Sequence, residues 1–107
     1  MIVKGIEFHD LPVRGIEFDF GSKELIISCE SYNEKTKDYD PIKIYFGGVN
    51  RIFTDLMEID EPFNIDIAHV DYIQEGENQK AEILFLTGFS KAGMLLSFNF
   101  ASVHYSW

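Results

Sequence analysis

This chain of 107 residues has one cysteine, three prolines and one tryptophan. With Cys29 alone, an intrachain disulfide is impossible. Cys29 closes the apolar run Leu25-Ile26-Ile27-Ser28-Cys29 and has no local base to activate it, so it reads as a buried free thiol of a reducing compartment. Lys and Arg are scarce too: nine of them stand against eighteen Asp and Glu, for a net charge of −9. Nucleic-acid backbones and anionic membrane surfaces both call for clustered cations, so neither is expected as a partner. No apolar run approaches the roughly 20 residues of a membrane helix. The opening Met1-Ile2-Val3-Lys4-Gly5-Ile6-Glu7 lacks the apolar core and cleavage site of a secretory signal. The expected location is the cytoplasm.

What the chain does have is hydrophobic residues, 46%, including ten Phe and five Tyr. That is core material for one domain over residues 1–107 without metal or disulfide support. The acidity is regional. Residues 52–79 hold eight acids and no Lys or Arg, residues 1–51 hold nine acids and seven bases, and residues 80–107 hold one acid and two bases. A block of this kind is either a solvated face or a docking face for a basic protein. The positions assigned to the docking face are Asp55, Glu58, Asp60, Glu61, Asp66 and Asp71, with Tyr72 as an aromatic anchor.

Strand periodicity runs through the sequence. Val3-Lys4-Gly5-Ile6-Glu7-Phe8-His9 is nearly repeated as Val13-Arg14-Gly15-Ile16-Glu17-Phe18-Asp19, which suggests two neighbouring strands around the turn His9-Asp10-Leu11-Pro12. Ile16, Phe18 and Phe20 share one parity. Gly21-Ser22-Lys23 then turns the chain into a strand carrying Leu25, Ile27 and Cys29. Residues 31–40 are polar and read as a long exposed hairpin loop, after which Pro41 opens a strand with Ile42, Ile44 and Phe46 inward. Val49, Ile52, Phe53 and Leu56 have helical spacing, so residues 49–59 are expected to form a short helix.

Phe63, Ile65 and Ile67 alternate, and a parity change at Ala68-His69 predicts a bulge. Glu75-Gly76-Glu77-Asn78 and residues 88–93 read as turns, and the continuous apolar run from Ile83 to Leu86 suits the centre of a sheet. The last strand changes parity near Ala101-Ser102. The expected fold is all-β with at most one short helix: an antiparallel β-sandwich or open barrel of about seven or eight strands.

No constellation of catalytic residues stands out. His9, His69 and His104 lack metal-ligand spacing, and the acids near Asp60 lack the alternating oxygens and glycine of a calcium loop. Gly47-Gly48 has neither GxGxxG nor GK[ST] around it, and Gly88-Phe89-Ser90 lacks the second glycine of a nucleophile elbow. No metal, no cofactor and no catalytic residue is assigned. An enzyme would need its His and carboxylates to converge in a cleft.

His9-Asp10-Leu11-Pro12-Val13, followed by Gly15 to Phe20 and Leu25-Ile26-Ile27, resembles small bacterial β proteins, and Ile44 to Val49 is similar to their later strand and turn. Some of those proteins look like immunity proteins of contact-dependent or polymorphic toxin systems. The resemblance implies a non-enzymatic protein whose acidic surface binds and neutralises a basic partner. The alternative reading is a self-associating structural β module, a homo-oligomer with Tyr105 or Trp107 at its interface.

Overall fold

Alternation of inward and outward side chains sets the strands. Within residues 24–30, Leu25, Ile27 and Cys29 are buried, while Ile26, Ser28 and Glu30 between them are half-buried. The computed structural model describes residues 2–3, 6–7, 11–55, 65–87 and 92–106. In chain order the strands are β1 (Ile2–Val3), β2 (Ile6–Glu7), β3 (Pro12–Asp19), β4 (Glu24–Asn33), β5 (Asp38–Gly47), β6 (Asn50–Thr54), β7 (Ile65–Glu75), β8 (Asn78–Thr87), β9 (Ala92–Phe100) and β10 (Ser102–Ser106). No helix occurs among the described residues, and therefore none there is long and apolar enough to cross a membrane.

Strands β3 to β10 form one antiparallel sheet in the order β10-β5-β4-β3-β7-β8-β9-β6. It is built from two three-stranded meanders, β3-β4-β5 and β7-β8-β9. Each meander's third strand bends and runs on. Gly48 and Val49 lead from β5 into β6, which pairs with β9; Ala101 leads from β9 into β10, which pairs with β5. The two strands at the ends of the sheet order are thus continuations of strands inside it. The all-β sheet has the architecture of an open barrel or sandwich. The other join is short: β3 meets β7 through Pro12↔Asp66 and Val13↔Ile65, with the Ile67 N–H donating to the Leu11 carbonyl at 3.1 Å.

The inward side chains form a single cluster. Phe46 of β5 packs edge-on against Phe98 and Phe100 of β9, with centroids 4.8 and 5.1 Å away, so the aromatic centre ties one meander to the other. Each fully buried Phe or Ile of this kind contributes about 1.5–3 kcal/mol.

Several expectations are met. β3 and β4 form a hairpin, the register slips between Ile67 and His69, β8 lies inside the sheet, and the final parity change is the bend at Ala101. Others need correction. Among the described residues Ile6–Glu7 pairs with Ile2–Val3 and β3 pairs with β4 and β7, not with β2; residues 4–5 and 8–9 of the sequence repeat lie outside the described residues. The polar stretch 31–40 is mostly ladder: Ser31↔Asp40, Tyr32↔Tyr39 and Asn33↔Asp38 leave a turn of only residues 34–37. The edge-on contact of Tyr32 with Tyr39 and the Asn33–Asp40 hydrogen bond of 2.8 Å supply what apolar alternation does not. Pro41 lies within β5 opposite Glu30 of β4, and the described pairing of β5 with β10 runs only from Gly47 to Lys43.

The expected helix is a strand over its described part. Asn50–Thr54 is β6; Ile52 and Phe53 are exposed and Val49 is buried. The register shift between Asn50 and Phe53, with Arg51 at φ 52°, adds residues to one side of the ladder and so imitates helical spacing. Residues 56–59 lie outside the described residues. Tyr105 is half-buried against the core, and burial pushes its hydroxyl up to about 12. Trp107 is outside the described residues.

Candidate functional site

The acidic residues of the central segment do not form one described face. Glu58, Asp60 and Glu61 lie outside the described residues. Asp55 is structural: its carboxylate accepts the Leu95 N–H at 2.8 Å and holds the end of β6 to β9. Asp66 lies at the β3–β7 join, where its charge acts on Arg14. Arg14 makes a two-point pair with Glu30, both contacts being 3.0 Å. Their mutual hydrogen bonding raises the guanidinium above its ordinary value and lowers the carboxyl below its own. Asp71 faces outward and meets His69 at 2.8 Å. Tyr72, its neighbour in a strand, turns the other way: its ring lies 5.9 Å from that of Phe100 and its hydroxyl donates to Gln79 Oε1.

The histidines and the thiol stand apart from one another. His69 pairs with Asp71 on β7, while His104 on β10 stacks flat on Tyr45 at 4.7 Å. His9 lies outside the described residues. Among the described residues no three His, Cys, Asp or Glu are grouped to hold a metal. Burial pushes the Cys29 thiol up to about 12, which leaves it without thiolate at neutral pH.

Among the described residues the surface has three hollows, of which the one at the β4–β5 turn, about 490 Å³ around Tyr32 and Asp40, is the smallest. The first, about 710 Å³, lies at the β3–β4 turn and is lined by Glu17, Phe18, Asp19, Phe20, Glu24 and Ile26. Phe20 is 86% exposed. It shares its sequence parity with Ile16 and Phe18, but β3 ends at Asp19 and the chain has already begun to turn. Phe20 nonetheless has a ring partner, and the turn after it is hydrogen-bonded. Its ring stands edge-on to Phe18 at 4.9 Å, and Asp19 Oδ1 accepts the Gly21 and Ser22 N–H groups at 2.8 and 3.2 Å. Asp19 and Glu24 sit directly opposite each other in the ladder, a like-charge juxtaposition that costs stability. None of Glu17, Asp19 or Glu24 is in an ion pair among the described residues. The signal missed in the sequence is the alternation of carboxylates with Phe18 and Phe20 running off the end of a strand.

The second hollow is a groove of about 640 Å³ on the outer face of β6 to β9. Residues directly opposite in neighbouring strands share a face. One row is therefore Asp71, Glu82, Ser97 and Phe53, and the next is Ile73, Lys80, Asn99 and Asn50. Phe53 and Ile73, 59% and 40% exposed, stand at the two sides of the groove. Lys80 and Glu82 pair at 3.0 Å on its floor.

No protein-family model and no curated protein matches this chain. One solved structure is similar: an uncharacterized protein from Neisseria gonorrhoeae, 14% identical, with a TM-score of 0.63 over 94% of each chain. That likeness supports the fold.

Proposed function

We propose that this chain is a small, non-catalytic, cytoplasmic binding protein whose acidic surface takes a basic protein partner, in the manner of an immunity protein. The carrying observation is Phe20, an aromatic in the open that leans edge-on against Phe18, beside three carboxylates without ion pairs. A ring that already leans on a neighbour loses less entropy when it is covered, which suits such a residue to be an anchor. Carboxylates outside any ion pair, even with Asp19 Oδ1 accepting turn N–H groups, attract and orient cations of a partner. Asp55, Asp66 and Asp71 already answer to Leu95, Arg14 and His69, so their part is long-range attraction rather than contact.

The test is affinity capture from the native host with three baits: the unaltered protein, Phe20→Ala, and Glu17→Lys with Glu24→Lys. The expected result is one basic protein held by the unaltered bait at low salt, and lost at high salt and with either altered bait. Recovery of no partner, or of one indifferent to salt and to both changes, overturns the reading.

A further inference from the structure

We propose that the groove on the outer face of β6 to β9 binds a neutral oligosaccharide. This is independent of the partner reading and uses other residues. Ser97 points to the site. It is the one buried polar residue among the described residues, 8% exposed, and no protein group hydrogen-bonds its hydroxyl. Nor is that hydroxyl sealed in: no buried side-chain oxygen or nitrogen is left without a partner, so Ser97 Oγ reaches the groove it lines. A hydroxyl that no protein group occupies, on a residue otherwise covered, is available to a ligand's polar group in place of water.

The groups around Ser97 indicate the ligand's chemistry. Asn78 and Asn99 also line the groove, and their amides make no hydrogen bonds within the fold. Each amide both donates and accepts, as does the serine hydroxyl, and that mixture matches sugar hydroxyls, which do the same. Lys80 and Glu82 neutralise each other on the floor and still present spare donors and acceptors. Phe53 offers an exposed ring on which the C–H face of a pyranose can lie. From Phe53 on β6 across β9 and β8 to Ile73 on β7 is three inter-strand steps, or about 14 Å at ~4.8 Å each, room for two or three sugar units.

Other ligands fit less well. An extended peptide is held by main-chain hydrogen bonds at a strand edge, whereas this floor is a sheet face whose main chain is engaged in ladders. A polyanion meets a chain of net charge −9 and a groove in which Lys80 is already paired, leaving Arg51 as the single lining cation outside an ion pair among the described residues.

The test is titration of isotope-labelled protein with cellohexaose, maltohexaose, xylohexaose and chitohexaose in turn, followed by amide chemical shifts. At least one of them is expected to give saturable shifts at Phe53, Lys80, Ser97 and Asn99. Phe53→Ala, at an exposed position, is expected to weaken that binding about tenfold or more while the protein stays folded. Ser97→Ala is expected to weaken it as well, and Phe20→Ala to leave it unchanged. The proposal is overturned if none of the four sugars gives saturable shifts at millimolar concentration, or if the shifts map elsewhere. It is also overturned if Phe53→Ala binds as before, or if an Asn- and Ser-rich extended peptide shifts these amides and the sugars do not.

Discussion

The Ala101 N–H donates to the Gly47 carbonyl at 2.8 Å, where the two long bent strands pass each other. There is no space here for a side chain on the β5–β6 corner. A Cβ on Gly48 would stand 2.8 Å from the Ala101 Cβ, and Gly48 already has φ +64°. Gly76, at φ +60° in the two-residue turn between β7 and β8, has open space around it. Gly76→Ala is therefore expected to cost only backbone strain, about 1 kcal/mol, and Gly48→Ala about 2 kcal/mol or more because a clash is added. Urea unfolding of the two variants checks this; equal losses would show that Ala101 gives way freely.

Exposure separates two phenylalanines. Phe98 is fully buried in the aromatic centre and Phe20 is 86% exposed. Phe98→Ala is expected to cost about 3–5 kcal/mol, and Phe20→Ala to stay within about 0.5 kcal/mol. Thermal unfolding distinguishes them. A large loss at Phe20 would make it a structural residue and remove it as an anchor.

The Arg14–Glu30 pair gives stability a pH dependence of known sign. The Arg14 hydrogen bond holds the Glu30 carboxyl below its ordinary value of 4.5. A depressed folded-state value stabilises the protein above the unfolded value, and that contribution disappears as pH falls through the folded one. Glu30→Gln is thus expected to be less stable than the unaltered protein at neutral pH. The gap should close below pH 4.5, as Glu30 takes up its proton. Denaturant midpoints measured against pH follow the gap, and one that persists undiminished in strong acid contradicts the assignment.

Cys29 is buried and its thiol is pushed up to about 12. A disulfide reagent at mildly alkaline pH is expected to modify it only as fast as the protein opens, and rapidly in denaturant. Immediate stoichiometric reaction of the native protein would place Cys29 at the surface.

Much of the fold was legible because side-chain alternation is a local property. Leu25, Ile27 and Cys29 mark β4, and the parity changes at Ala68-His69 and Ala101-Ser102 mark a bulge and a bend. What periodicity does not encode is the partner. Whether residues 50–54 form a helix or a strand depends on β9, more than forty residues away, and a bulge there reproduces helical spacing. Charge position was equally opaque. Asp66 and Asp71 looked like members of one acidic block, but only the fold brings Arg14 near the first and His69 beside the second. The exposure of Phe20 was not legible because parity carries no information about where a strand stops.

Each meander sends its final segment to lie against the other, β6 on β9 and β10 on β5. Neither is a self-sufficient unit, since the ladder at the end of each is completed by residues from the opposite half of the chain. Fraying of either exchanged segment strips a neighbour from both, so loosening one end loosens the whole. The molecule is held by a mutual clasp, and it should melt in one cooperative step rather than half by half.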